Sequence, residues 1–163
     1  ETPAEFARRI AFSKADFVLR ALDGAEGRIV LAADTAVVLD DELFGKPSNA
    51  AAAATMLRRL SGRVHEVVTA VTALRGEARE WAISRSRVSF RELDEAEIES
   101  YVASGEPLDK AGAYAVQGYA ALFIERLDGS YSGVMGLPLF ETGQLIAGLG
   151  GRVQPAARGA KDE

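Results

Sequence analysis

The chain has 163 residues, 48% of them hydrophobic and 26% charged, with a formal net charge of -5. That apolar content excludes a chain disordered over most of its length and supplies one domain-sized core. With no cysteine and a single histidine, disulfides, thiolate chemistry and a His-rich zinc site are excluded, and an acidic balance without a basic block argues against a nucleic-acid binder.

Phe6, Ile10, Phe17 and Leu22, with alanines between them, predict a first helix over residues 3–22. Thr2, Pro3 and Glu5 supply its N-cap, a proline at the first helical position and an acid at the third. Residues 29–32 read as a short buried strand, interrupted at Ala33-Asp34-Thr35 and resumed over 36–39. Asp40-Asp41-Glu42 is a turn, and Gly45-Lys46-Pro47 a stiff loop beyond it. Ser48 is expected to cap a helix over 49–60 that stops at Ser61-Gly62. Residues 65–74 and 80–90 read as two strands of a hairpin turning at Arg75-Gly76-Glu77. Asp94 with Glu97 predicts a capping box for a helix running to Ser104. Residues 110–117, rich in glycine and alanine, read as a short helix or an irregular segment. A strand over 120–127, a turn at Asp128-Gly129 and a last helix from Pro138 to Leu149 complete the order. Irregular alternation of helices and strands predicts an α/β class with a mixed sheet, as one domain over 1–150 followed by a flexible tail over 151–163. No apolar run approaches the ~18 residues of a spanning helix, and no leader pattern opens the sequence, so the expectation is no membrane and a cytoplasmic location.

Four segments can carry chemistry. Asp34 follows Ile-Val-Leu-Ala-Ala, and a carboxylate at the end of a buried strand can hold a divalent metal or deprotonate a water. The same residue can equally stabilise its own turn. Lys46 lies twelve residues further on, in a loop that would bring it to the same end of a hairpin, where an ammonium suits a phosphate or is merely solvated. Asp109-Lys110-Ala111-Gly112-Ala113-Tyr114-Ala115-Val116-Gln117-Gly118 combines small residues, which permit close backbone approach, with a cation and an amide able to pair with a base. Its spacing is not that of a Walker loop, and a tightly packed segment is the plainer alternative. The Gly129–Pro138 segment places two hydroxyls and three glycines before a helix, either as an anion cradle or as a structural loop. His65 has no evident partner and reads as structural. Lysine is scarce, four against 15 arginines, and two of the four fall in these segments.

Taken together, the segments resemble the Maf family of nucleoside triphosphate pyrophosphatases. The matching blocks, in order, are Ala33-Asp34-Thr35, then Gly45-Lys46-Pro47, then Met56-Leu57-Arg58-Arg59-Leu60-Ser61-Gly62-Arg63-Val64-His65-Glu66-Val67. Glu106-Pro107-Leu108-Asp109-Lys110-Ala111-Gly112-Ala113-Tyr114 with Gln117-Gly118 follows, and Gly129-Ser130-Tyr131 with Gly136-Leu137-Pro138 and Glu141-Thr142 closes the series. The resemblance implies a two-lobed α/β fold of the Maf and ITPase type, with a mixed sheet and flanking helices, commonly as a homodimer. It implies hydrolysis of a nucleoside triphosphate to the monophosphate and pyrophosphate with a divalent metal, Mg or Mn. Asp34 matches the general base and a metal ligand, while Lys14, Lys46 and Lys110 match phosphate-site lysines. Thr35 and Gln117 match positions linked to base choice, and Asp-Thr with a later Gln is similar to the dTTP/UTP branch rather than the 7-methyl-GTP branch, which has Asp-Gln. A modified nucleotide as substrate, or a non-catalytic nucleotide-binding regulator of cell division, is the alternative. Two departures stand out. Ser13 replaces the usual Glu before Lys14, and the family's opening strand with its Ser-x-Ser-Pro-Arg-Arg loop is expected to be missing before Glu1.

Overall fold

A computed structural model describes residues 1–24 and 27–154; the expected tail lies outside the described residues from position 155 onward. Helix α1 (Pro3–Ala21) opens with the anticipated reciprocal cap. Thr2 Oγ1 accepts from the Glu5 amide at 3.3 Å, and the Glu5 carboxylate accepts from the Thr2 amide at 2.8 Å. Such a cap is worth about 1 kcal/mol. The inward face of α1 is built from Ala4, Ala7, Ala11 and Ala15 rather than from the larger apolar residues, and Phe17 points to solvent. Residues spaced three and four apart share one helix face, and alanine there lets the helix lie close on a sheet.

The strands are β1 (Val30–Leu39), β2 (Glu42–Phe44), β3 (Val64–Arg75), β4 (Ala78–Phe90) and β5 (Ile124–Asp128), in the order β2-β1-β3-β4-β5. The α/β class holds, but all four pairings are antiparallel where a mixed sheet is expected. Tight hairpins join β1 to β2 and β3 to β4, and two-residue connections of that kind reverse the chain. Strand β1 also runs unbroken through Ala33-Asp34-Thr35. Its ladder with β3 extends from Val30 opposite Leu74 to Val38 opposite Glu66, with Asp34 opposite Ala70 and Thr35 opposite Thr69. Backbone pairing is indifferent to a polar side chain where that side chain has somewhere to go. Asp34 and Thr35 do, because β2 pairs with β1 only from Val37 to Leu39. Among the described residues, the outer edge of β1 before Val37 therefore carries no strand.

Helices α2 (Ala50–Leu60), α3 (Glu95–Ala103), α4 (Tyr131–Met135) and α5 (Leu139–Gly148) complete the order. Asn49, not Ser48, caps α2, accepting from the Ala52 amide at 2.8 Å. The Asp94–Glu97 box caps α3 as expected. Residues Tyr119–Phe123 wind as a 3₁₀ turn before β5, where a strand over 120–127 is expected. Ala120 and Phe123 are both buried, and their separation of three matches the 3₁₀ repeat.

Side chains alternate across a strand, so the sheet has two distinct faces. On one, Val30, Val38, Val68, Ala70 and Leu74 meet α1. On the other, Val37, Val67, Val88 and Phe90 join Leu57, Tyr101, Tyr114 and Phe123 in the largest apolar cluster. A smaller cluster of Val71, Ala73, Leu145 and Leu149 seats α5. Among the described residues no helix is long and apolar enough to cross a membrane.

Candidate active site

Lys14, Asp34, Thr35, Lys46, Lys110 and Gln117 line one cavity of about 260 Å³. Asp34 and Thr35 are neighbours in a strand, so they project to opposite faces of the sheet, and the cavity wraps around the uncovered edge of β1 between them. Asp34 thus stands mid-strand at a free edge, not at a strand end as the apolar run before it implies. Lys46 lies beside it, at the open end of the β1–β2 hairpin, the same end as expected. Extending the β1–β2 register past Val37 and Phe44 brings Lys46 abreast of Thr35.

On the α1 face, Lys14 donates to Asp34 Oδ1 at 2.6 Å and to the Ala33 carbonyl at 3.3 Å. The Asp34 side chain is 18% exposed and that of Lys14 52%. An ion pair so open to water contributes at most about 1 kcal/mol, so its consequence is orientation. One carboxylate oxygen is held, and among the described residues no hydrogen bond engages the other.

The second wall is the irregular segment after α3. The Gly112 amide donates to the Gly45 carbonyl at 3.1 Å, which ties this segment to the Lys46 loop and sets Lys46 and Lys110 on one side. Gly112 has φ +70°, and a Cβ there would meet the Val37 side chain at 2.9 to 3.1 Å, so both backbone and space require glycine. Ala113 follows with φ +60° and is fully buried, an uncommon left-handed conformation for a residue with a Cβ. Surrounding contacts hold it there. His65 Nε2 and the Tyr114 hydroxyl are 2.8 Å apart, and both rings pack edge-on against Phe90. His65 is structural, as expected, but it has a partner that spacing does not reveal. Burial lowers its pKa to about 4 and pushes the Tyr114 phenol up. At the far end, Gly118 leaves room for Glu106, which accepts from the Tyr101 hydroxyl at 2.7 Å and from the Tyr119 amide at 3.2 Å.

Asp109, which the sequence does not single out, joins the cavity rim beside Lys110. A hydrogen bond from Lys110 holds its carboxyl below the usual range, with Lys46 adding to the effect. Adjacency to Lys110 is the one sequence signal for it. Thr69 is the other residue missed. It sits in a β-branched run and reads as ordinary strand, yet its hydroxyl lies 2.8 Å from that of Thr35 and donates to the Gly133 carbonyl at 2.8 Å. Val134 and Met135 of α4 close that side. The Gly129–Pro138 segment is not an open loop but contains α4, with Ser130 as its N-cap. Ser130 Oγ accepts from the Gly133 amide at 3.0 Å and Ser132 Oγ from the Leu139 amide at 3.1 Å, so both hydroxyls serve helix starts.

Three ammonium groups and two carboxylates around one small cavity suit a polyanion accompanied by a cation. The acidic donors are hard oxygens, which fit Mg or Mn rather than a soft metal. Among the described residues there is no group of three or more His, Asp or Glu able to cage an ion alone. An ion held here would rest on one or two carboxylates plus ligand phosphates, the ordinary mode for magnesium. Asp34, with its second oxygen unengaged, is the residue that fits this role.

Comparison with known proteins gives one consistent picture. The family described as Maf-like protein matches residues 1–149. A dTTP/UTP pyrophosphatase of Methylococcus capsulatus is 60% identical over 121 residues, covering 74% of this chain and 60% of the relative. One from Cupriavidus metallidurans is 50% identical over 152 residues, covering 92% of this chain and 76% of the relative. One from Nitrosospira multiformis is 52% identical over 148 residues, covering 90% and 72%. The chain therefore spans between 60% and 76% of the length of these three relatives.

Proposed function

The chain belongs to the Maf-like protein family, and from that premise we propose that it is a pyrophosphatase acting on dTTP and UTP, clearing them to the monophosphate and pyrophosphate. The observation that carries the reading is the convergence of three of the four lysines, Lys14, Lys46 and Lys110, on one cavity that Asp34 also lines. In a chain that otherwise prefers arginine, compact ammonium groups gather where phosphates would lie.

In this reading Lys46 and Lys110 hold the β and γ phosphates from one wall. Lys14, which the resemblance implies as a phosphate-site lysine, in this reading fixes the Asp34 carboxylate through Oδ1, so that the other oxygen faces a water. The water oxygen attacks the α phosphorus, its proton passes to Asp34, and the bond from that phosphorus to the α–β bridging oxygen breaks. Pyrophosphate leaves with the bonding electrons. Phosphoryl chemistry of this kind depends on positioning and charge far more than on a covalent nucleophile, so a chain without cysteine is no obstacle. A divalent ion bound at one lone pair of that free Asp34 oxygen would offset phosphate charge and steady the leaving group, leaving the other lone pair for the water proton. Thr35 and Gln117 face the base and choose among bases by hydrogen bonding. A homodimer is part of the proposal, supported by an apolar surface at the start of α5, where Leu139 and Phe140 are 62% and 73% exposed. A cytoplasmic location is proposed from where nucleoside triphosphates are held.

The test is pyrophosphate release from the canonical triphosphates and a set of modified ones, with Mg or Mn. The protein should retain any residues that precede Glu1 in its gene product. Turnover concentrated on dTTP and UTP is expected. Nucleotide-dependent stabilisation without pyrophosphate release would replace the enzyme with a binding regulator, and a modified base as the preferred substrate would replace the assignment of dTTP and UTP.

A further inference from the structure

We propose that Thr69 is a positioning residue for base selection, acting by fixing the Thr35 hydroxyl as a hydrogen-bond acceptor toward the cavity. Each threonine hydroxyl has a single proton to donate. Thr69 Oγ1 lies 2.8 Å from the Gly133 carbonyl, which can only accept, so the single Thr69 proton is spent there. Thr35 Oγ1 lies 2.8 Å from Thr69 Oγ1, and the proton in that contact must come from Thr35. What Thr35 has left for a ligand is lone pairs. Thr69 is 1% exposed, so neither water nor ligand competes for this relay. Gly136 borders the same hydroxyl, and a Cβ built there would stand 3.6 Å from Thr35 Oγ1, so glycine keeps space beside it.

An acceptor at that position takes an N–H. Uracil and thymine carry a proton on N3, whereas cytosine presents a lone pair in the same place. Acceptor against acceptor repels, and a site built for one partner is left unpaired by the other. The relay therefore favours the keto pyrimidines at one point of contact. Removing the Thr69 hydroxyl frees the Thr35 proton, and the Thr35 hydroxyl can then turn and donate to cytosine N3 as well. This deepens the pyrophosphatase reading and rests on it only for the turnover measurement.

The experiment compares kcat/KM for UTP and CTP in the wild type, Thr69→Val, Thr69→Ser and Thr35→Val with and without Thr69→Val. Calorimetric binding of UMP and CMP is measured alongside. The UTP-to-CTP ratio is expected to fall by about tenfold in Thr69→Val, the size of one lost hydrogen-bond preference. Thr69→Ser, which keeps the hydroxyl, should hold the ratio within about twofold. In the Thr35→Val background the Thr69 change should leave the ratio alone, because its target is gone. If valine is not accommodated, Thr69→Ala reads the same ratio. An unchanged ratio in a folded variant, or equal losses on both substrates, overturns the proposal. A wild type that turns over neither triphosphate, yet whose preference for UMP over CMP is lost in Thr69→Val, sinks the enzyme reading and supports the relay.

Discussion

Replacing His65 by phenylalanine should remove most of the acid sensitivity of this fold between pH 7 and pH 5. The imidazole is 2% exposed, wedged edge-on between Phe90 and Tyr114, and burial lowers its pKa to about 4 from an ordinary 6.5. The native state therefore keeps it neutral, while the unfolded chain takes up a proton as the pH falls below 6.5. Its contribution to stability is intact above that value, drains away as the pH falls toward 4, and levels off below. The gap corresponds to about 3 kcal/mol in full, of which about 2 kcal/mol is expressed between pH 7 and pH 5. Phenylalanine keeps the ring but cannot titrate. It also leaves the Tyr114 hydroxyl without its partner, at a cost of about 1–3 kcal/mol that does not vary over this range. Urea unfolding of both proteins at pH 7 and pH 5 isolates the effect, since the carboxylates are common to both. The wild type should lose about 2 kcal/mol more than the variant between the two pH values. Equal losses would mean that burial does not hold His65 neutral in the folded state.

Gly112→Ala should destabilise the protein by about 2–4 kcal/mol, combining a left-handed backbone with a clash against Val37, and an unshifted melting temperature would contradict the close approach. Lys46→Met and Lys110→Met should each lower kcat/KM for dTTP by at least ~10-fold while changing stability by less than ~0.5 kcal/mol. A kinetic loss matched by a stability loss would make them structural instead. Stripping divalent ions with a chelator should stop pyrophosphate release, and added Mg or Mn should restore it; turnover that persists would remove the ion from the reaction.

What could be read from the sequence was whatever local chemistry decides. Thr2 with Glu5 and Asp94 with Glu97 cap their helices as the spacing implies, because the partners lie within one turn. Five of the six candidate residues were legible as blocks and Lys14 only through the resemblance, and all six line the same cavity. What was not legible depends on pairing across the chain. Asp34-Thr35 looks like a break in a strand because a carboxylate does not suit a buried sheet, and the missing cover at the outer edge of β1 explains its presence there. Thr69 is indistinguishable from any other β-branched strand residue until its register opposite Thr35 is known. The 3₁₀ turn at Tyr119–Phe123 was hidden by an apolar run that serves a strand equally well.

In the proposed mechanism the free carboxylate oxygen of Asp34 activates the attacking water. Single-turnover hydrolysis of dTTP by Asp34→Asn, with nucleotide binding measured in parallel, tests it most directly. Asparagine keeps the shape of the side chain but cannot take the proton. Hydrolysis should fall by at least ~100-fold while dTTP affinity stays within a few fold of wild type. Hydrolysis at the wild-type rate would show that the proton goes elsewhere and would contradict the account at its core.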